Sequence, residues 1–464
     1  AQRLIEEAQC GLAWLHKTRF GDGFRVTWGT MDYWTDNKIG TADDTFVSPG
    51  NAPTDNAVGA AASAIAARLL ESSNPELSAK SLQIARDDWR FAIERLKNPN
   101  VEALGAVTLA SVELYKATGE PKYADKAVEL GKLLVESQQR SYPNWAISLA
   151  GFFYNSPQQD RILNFMHRGH DQAPVVALAE LCKALPDHAD WMQWYSAVAM
   201  HSEYQRTAAA FNEPYNLLNA GIYRLRDNPA QVSKGLKLSD EYYLRRFPVW
   251  GDLRGHFGVL LSQTKALATA GRLRNRPELL DLCQSQLQWV VGKNPFAQST
   301  MYGEGYDYAP QYTAASGDMV GSLPVGIQTK YDFDVPYWPV TNCWNYKEVW
   351  VHPSSRWLFT MADLVAASKE QSVHFELSQK AASDGRVIVT AKVTGNGRHT
   401  FAIRAFNLEA DPAAQAVELQ AGVSQTLTWS AKVRATDTPW VVVIYPDNDL
   451  SQRQDLTAPA RRVP

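Results

Sequence analysis

Apolar side chains along this chain change their spacing once, near Gln371. Before it they recur every three or four residues, the period of an amphipathic helix. After it they alternate, the period of a strand with one buried face. Leu4, Ile5, Ala8, Leu12 and Leu15 lay an apolar stripe on a first helix over 1–17. The stretch 53–70 opens Pro-Thr-Asp and carries Ala57, Ala60, Ala61, Ala62, Ala64, Ala66 and Ala67, which predicts a tightly packed helix. Helices follow over 82–96, 101–118 and 122–138, the last two split by Gly119-Glu120-Pro121, then over 174–185, 189–211, 255–270, 277–291 and 354–368. Helix hairpins in series predict a mainly α fold, an α/α toroid, with a long all-α bundle as the alternative. Beyond Gln371, the stretches 373–377, 386–393, 399–406, 425–429 and 440–445 alternate and are split by Gly, Asn and Asp, which predicts a C-terminal antiparallel β-sandwich. The expected layout is a toroid over 1–370, an accessory sandwich over 371–450 and a loosely held polar tail over 451–464.

Two connections, 21–51 and 294–344, are far longer than ordinary linkers and rich in aromatics and carboxylates; such loops usually carry function. With 464 residues the chain exceeds one ordinary core, in keeping with two domains. A net charge of −3 without a basic stripe argues against nucleic acid as partner. No apolar run has the length of a membrane span. Fifteen Trp and nineteen Tyr fit either large cores or a carbohydrate cleft, where flat rings stack on sugar faces. Cys10, Cys182, Cys283 and Cys343 lie far apart and form no Cys-x-x-Cys pair, so neither a structural zinc site nor a disulfide framework is implied.

The most informative segment is Cys343-Trp344-Asn345-Tyr346-Lys347-Glu348-Val349-Trp350, ahead of the last helix. A carboxyl among aromatics loses hydration, which disfavours its charged form and suits it to donate a proton. The same segment also reads as a helix start, where the dipole favours a carboxylate. Met166-His167-Arg168-Gly169-His170-Asp171 is the densest polar cluster. Its spacing could suit a metal and its Arg and His a sugar's anionic group, while a helix start with satisfied imidazoles is the plainer account. In the run 245–256, Trp250, Arg254 and His256 either line a cleft or belong to a loop of internal ion pairs. Asp32, Asp36, Asp43 and Asp44 sit in the first long loop as solvated carboxylates or as oxygen donors for a structural calcium, though not at EF-hand spacing. No other cofactor is expected.

Four stretches, in order, resemble glycoside hydrolase family 9, the (α/α)6 cellulase family. Gly11-Leu12-Ala13-Trp14-Leu15 is similar to its Gly-Leu-Asp-Trp-Leu helix. Trp28-Gly29-Thr30-Met31-Asp32-Tyr33-Trp34 and Ala42-Asp43-Asp44 fall at its Gly-Asp-Gly, Trp and Pro-Glu-Asp loop. Pro53-Thr54-Asp55-Asn56-Ala57-Val58-Gly59 matches the start of its Ala-rich helix, and Gly292-Lys293-Asn294-Pro295 its Gly-x-Asn-Pro turn. The resemblance implies that Glu348 is the general acid of an inverting hydrolase acting on a β-linked glycan, paired with a carboxylate ~6.5–9.5 Å away. It also implies that the family's Asp-Ala-Gly-Asp motif, which holds the base, falls upstream of Ala1. The chain is therefore expected to be processed or truncated, or to have its toroid completed by an upstream segment or a second chain. Within the chain itself, Asp32, Asp43 and Asp44 are the candidates to stand in for the base. The family's His-His-Arg is replaced by Tyr302, Glu304, Tyr306, Tyr308 and Gln311, which departs from plain cellulose as substrate.

Trp28, Trp34, Tyr302, Tyr306 and Trp344 would form a stacking floor, with His167, Arg168, His170, Trp250, Arg254 and His256 as further substrate contacts. Two other functions fit the same residues. A polysaccharide lyase would take Tyr302 or His167 as base and Arg168 to neutralise a uronate. A glycan-binding protein would keep the cleft without turnover. A polymeric substrate implies a periplasmic or secreted protein.

Overall fold

The computed structural model describes residues 2–19, 23–29, 47–50, 52–164, 168–170, 172–229, 234–247, 256–312, 318–367, 371, 373–382 and 384–459. Eleven helices in the described residues carry the first part of the chain. They are α1 (Gln2–Lys17), α2 (Pro53–Leu70), α3 (Pro75–Arg95), α4 (Val101–Thr118), α5 (Pro121–Glu136), α6 (Gln172–Ala184), α7 (Trp191–Ala209), α8 (Phe257–Arg274), α9 (Pro277–Val290), the single turn α10 (Trp344–Lys347) and α11 (Val351–Val365). Local signals set several ends. Asn74 and Asn100 cap α3 and α4 by accepting from Leu77 N–H at 3.1 Å and Ala103 N–H at 2.9 Å. Gly119 closes α4 in the left-handed region at φ 71°.

The helices form two rows of an α/α toroid. In the inner row α2, α4, α6, α8 and α11 each pack on the next, while α3, α5, α7 and α9 pack outside them. Small residues let the inner row close up: Ala57, Ala60, Ala64 and Ala67 of α2 are buried. A Cβ on Gly105 of α4 would come within 2.7 Å of the Ala173 backbone. The resulting core runs through Leu104, Val107, Val175, Leu178, Trp191, Trp194 and Val198.

Three strands, β3 (Gly221–Arg224), β4 (Leu236–Lys237) and β5 (Tyr242–Arg245), make a small antiparallel sheet before α8, and β1 (Arg25–Gly29) pairs antiparallel with β2 (Val47–Gly50). Arg25 fixes that hairpin: its guanidinium meets the buried Asp88 carboxylate at 2.5 Å and lies over Gly59, where a Cβ would collide with it.

From His374 the chain forms two four-stranded antiparallel sheets, in the orders β6-β7-β11-β9 and β10-β8-β12-β13. The strands are β6 (His374–Ala381), β7 (Arg386–Thr394), β8 (Gly397–Phe406), β9 (Leu408–Asp411), β10 (Ala414–Leu419), β11 (Gln425–Val433), β12 (Val441–Pro446) and β13 (Gln454–Thr457). Val389, Val393, Phe401, Trp429, Val442 and Ile444 fill the space between the sheets. All six residues of β12 are buried because its other face, Val441, Val443 and Tyr445, packs into the helical core.

Part of the segment expected as a loose polar tail is instead a strand of this sheet. Residues 454–457 are β13, paired with β12. Asp455 is fully buried against Arg274 of α8, with Nε–Oδ2 at 2.6 Å. Its polarity is that of a buried ion pair, not of a solvated end.

Candidate active site

The inner helices begin at one rim, and polar side chains gather there. Asp55 lies in the first turn of α2 and Glu102 in the first turn of α4. His170 sits two residues ahead of α6, and His352 and Arg356 lie in the first two turns of α11. Backbone contacts lock these ends together. Gly169, at φ +67°, lies so close to α8 that a Cβ would meet Gly258 O at 2.4 Å. Phe257 N–H donates to Val325 O at 3.0 Å, and Val325 N–H donates to Glu348 O at 2.8 Å. The loop 294–344 is thereby strapped to the starts of α8 and α11.

Glu348 follows the turn α10 in extended conformation, φ −61° and ψ 129°. Its carboxylate is half-buried and accepts the indole N–H of Trp350 at 2.8 Å. Of the flanking aromatics, Tyr346 turns into the core against Tyr337 and Trp338, while Trp344 stays 40% exposed. Glu348 is thus held at the rim by the polar edge of an indole. The Arg168 guanidinium lies 5.7 Å from the Trp350 ring centroid, and the His352 ring lies 5.8 Å from it.

Behind them, His170 Nδ1 stands 3.2 Å from Glu102 Oε1 and 3.5 Å from Arg356 Nη2. Burial first, then the neighbouring Arg356, His352 and Arg168, hold the His170 pKa down at about 3. At neutral pH the imidazole is therefore uncharged, and its approach to Glu102 is not an ion pair. His352 is likewise pushed to about 4 by burial and the two arginines. Burial drives Glu102 and Asp55 the other way, towards the protonated form, against the pull of Arg356 on Glu102 and of Arg25 on Asp55.

The residues expected from the sequence fall in different places. Arg168, His170, Trp344 and Glu348 stand at this rim. Tyr302 and Tyr306 lie on the loop 294–344 beside it. Tyr302 donates its hydroxyl to Asp318 at 2.7 Å, and Tyr306 is wholly exposed. His256 departs from the expectation: it does not line the cleft. It is 1% exposed, bonded to Ile327 O through Nδ1 and enclosed by Phe247, Phe257 and Trp289. Burial pushes its pKa down to about 4, so it is a neutral core histidine. Asp32, Trp34, Asp36, Asp43, Asp44, His167, Trp250 and Arg254 lie outside the described residues. Trp28 is placed only as a backbone position in β1.

Glu102, His352 and Arg356 were not singled out from the sequence, and Asp55 figured only in the motif at the start of the Ala-rich helix. The available signal was positional: each lies in the opening turns of an inner helix. Among the described residues no group of three His, Cys, Asp or Glu side chains could hold a metal ion. No described helix is long and apolar enough to cross a membrane.

Comparison with known proteins fits this geometry. The family model described as Glycosyl hydrolase family 9 matches residues 1–322. A metagenome-derived glycoside hydrolase family 9 endoglucanase is similar in structure, with a TM-score of 0.55 and 18% identity over 78% of this chain and 61% of its own. A thermostable endoglucanase from Alicyclobacillus acidocaldarius is similar with a TM-score of 0.51 and 16% identity, over 77% of this chain and 64% of its own. The chain therefore spans less than two thirds of the length of these two. Among proteins of curated function none matches it.

Proposed function

The chain belongs to glycosyl hydrolase family 9, and on that premise we propose that it hydrolyses a β-linked poly- or oligosaccharide by inverting acid–base catalysis. Glu348 protonates the leaving glycosidic oxygen. The observation that carries this reading is the placement of Glu348: half-buried, bonded to Trp350, at the rim where the inner helices begin. A second carboxylate ~6.5–9.5 Å across the cleft activates water. Asp32, Asp43 and Asp44 remain the candidates from the first loop. The aromatic surface of Trp344, Tyr302 and Tyr306 supports a stacking floor. The chemistry draws on side chains alone.

The proposal extends to a partner and a place. Exposed Leu4, Ile5 and Trp14 on α1, Val58 and Leu69 on α2, and Val351, Leu358, Phe359 and Val365 on α11 leave apolar surface on helices at the two ends of the inner row. That surface supports completion of the ring by a further helical segment, from upstream or from a second chain. A polymeric substrate goes with a periplasmic or secreted setting.

The test is turnover of soluble β-glucans by the wild type and by Glu348→Gln, with the anomer of the first product followed by NMR. General acid catalysis contributes ~10²–10⁴-fold. A loss of that size with glycan binding retained, and an inverted product, is the expected result. Unchanged turnover removes Glu348 from the mechanism, and a retained anomer removes inversion.

A further inference from the structure

The charges at the rim specify more than a glycan. Arg168 is exposed, and among the described residues it has no ion pair. Arg356 also has no ion pair among the described residues: its guanidinium reaches Ser355 Oγ at 3.0 Å, Gly169 O at 3.5 Å and His170 Nδ1 at 3.5 Å. Its Nε is buried without a partner. Elsewhere arginines either meet a carboxylate, as Arg25, Arg274 and Arg404 do, or reach neutral hydroxyl oxygens at short range, as Arg140 does at 2.6 Å and Arg386 at 2.7 Å. Two guanidiniums without a carboxylate partner among the described residues, at the rim where inner helices begin, call for an anion from outside.

Three further observations agree. Arg168 precedes α6 and Arg356 stands in α11, helices of 13 and 15 residues whose N-termini open at this rim and favour negative charge. His170 and His352 are neutral, so they add hydrogen-bonding nitrogens without positive charge. The two carboxyls nearby, Asp55 and Glu102, form no ion pair with either arginine among the described residues, and Glu102 faces His170 instead.

We propose that the site takes β-linked glycans bearing an anionic substituent, a carboxylate or an ester sulfate, and that Arg168 and Arg356 bind that group. This rests on the hydrolase reading above and deepens it. One indole joins the two functions: the Trp350 N–H holds Glu348, and Arg168 lies over the Trp350 ring. The charged sugar is therefore seated beside the bond to be cut, where its anion fixes the register of the chain. A guanidinium pairs with carboxylate or sulfate through two parallel N–H···O bonds, which orients the ring as well as attracting it.

The experiment uses calorimetric binding to Glu348→Gln protein, with a β-1,4-glucan oligosaccharide, the same oligosaccharide oxidised to carboxylate at C6, and its sulfate ester. The carboxylated or sulfated oligosaccharide is expected to bind at least about tenfold more tightly than the neutral one at low salt, with the preference shrinking as salt rises. Which of the two binds better identifies the anion. In Arg168→Ala and in Arg356→Gln, each also carrying Glu348→Gln, the preference is expected to fall towards unity. Equal or tighter binding of the neutral oligosaccharide overturns the inference while leaving the hydrolase reading intact. A preference that survives both arginine substitutions overturns the assignment of the residues. Failure to bind any of the three, together with no turnover by wild type, overturns both readings. An unsaturated, ultraviolet-absorbing product from the carboxylated oligosaccharide with wild-type protein overturns the hydrolase reading and keeps the anion site.

Discussion

Replacing Asp455 by Ala should cost the protein about 3–4 kcal/mol, although the residue is far from the cleft. The carboxylate accepts from Arg274 twice, Nε–Oδ2 at 2.6 Å and Nη2–Oδ1 at 3.1 Å, from the Tyr195 hydroxyl at 3.0 Å and from Arg276 at 3.3 Å. Both Asp455 and Arg274 side chains have no solvent exposure. Removing one member of a buried pair strands the other and costs about 3–5 kcal/mol. Glu203, 2.8 Å from Arg274, remains as a partner and holds the loss to the lower part of that range. The orphaned Tyr195 hydroxyl adds about 1 kcal/mol. Urea unfolding followed by Trp fluorescence measures the total, and a cycle with Arg274→Met isolates the pair. The coupling should reach about 2 kcal/mol. A loss below roughly 0.5 kcal/mol for Asp455→Ala, the range of an ordinary surface change, would refute the view that this pair seats the sandwich on the helices.

Trp350→Phe keeps an aromatic ring and deletes the donor to Glu348; a hydrogen bond to a neutral acid is worth about 0.5–1.5 kcal/mol, so turnover should fall by about two- to tenfold, and an unchanged rate would show that the bond does not position the acid. Gly169→Ala places a Cβ 2.4 Å from Gly258 O at a left-handed φ, so it should lower stability by about 1–3 kcal/mol; a melting temperature equal to wild type would sink that reading. His201 and His256 are buried with pKa values held at about 4 against 6.5 in the unfolded chain. Their contribution is fully present above pH 6.5 and lost as the pH falls through 4, so His256→Gln should flatten the stability profile in that window, and an unaltered profile would exclude the histidine as its source.

Much of the architecture was readable because the signals were local. Asn100 and Gly119 bracket α4, and the Pro53 and Pro121 starts agree with α2 and within a residue with α5. Where the reading slipped, the cause was a signal that acts differently in context. The helix expected from 82 starts at Pro75, because Asn74 caps a first turn whose side chains are largely polar. The helix expected from 354 starts at Val351 with Pro353 inside its first turn, a position where proline loses no hydrogen bond. The cleft was only half readable. Glu348 and its aromatics are neighbours in sequence, whereas Glu102 meets His170 from another helix and Arg356 meets it from 186 residues away. No periodicity encodes such a meeting. His256 misled for the converse reason, since a polar neighbourhood in sequence hid an apolar one in space. Likewise β13 looked unstructured because the partner that makes a buried aspartate tolerable lies on α8.

That last pairing also sets an order of events during synthesis. Arg274 emerges from the ribosome 181 residues before Asp455. At about 5–20 residues per second this is a wait of roughly 10–35 s. Through that interval the nascent toroid carries a guanidinium destined for complete burial with Glu203 as its only acidic neighbour of the final set. Until the sandwich arrives, that guanidinium and the helical surface that receives Val441, Val443 and Tyr445 stay without their final partners.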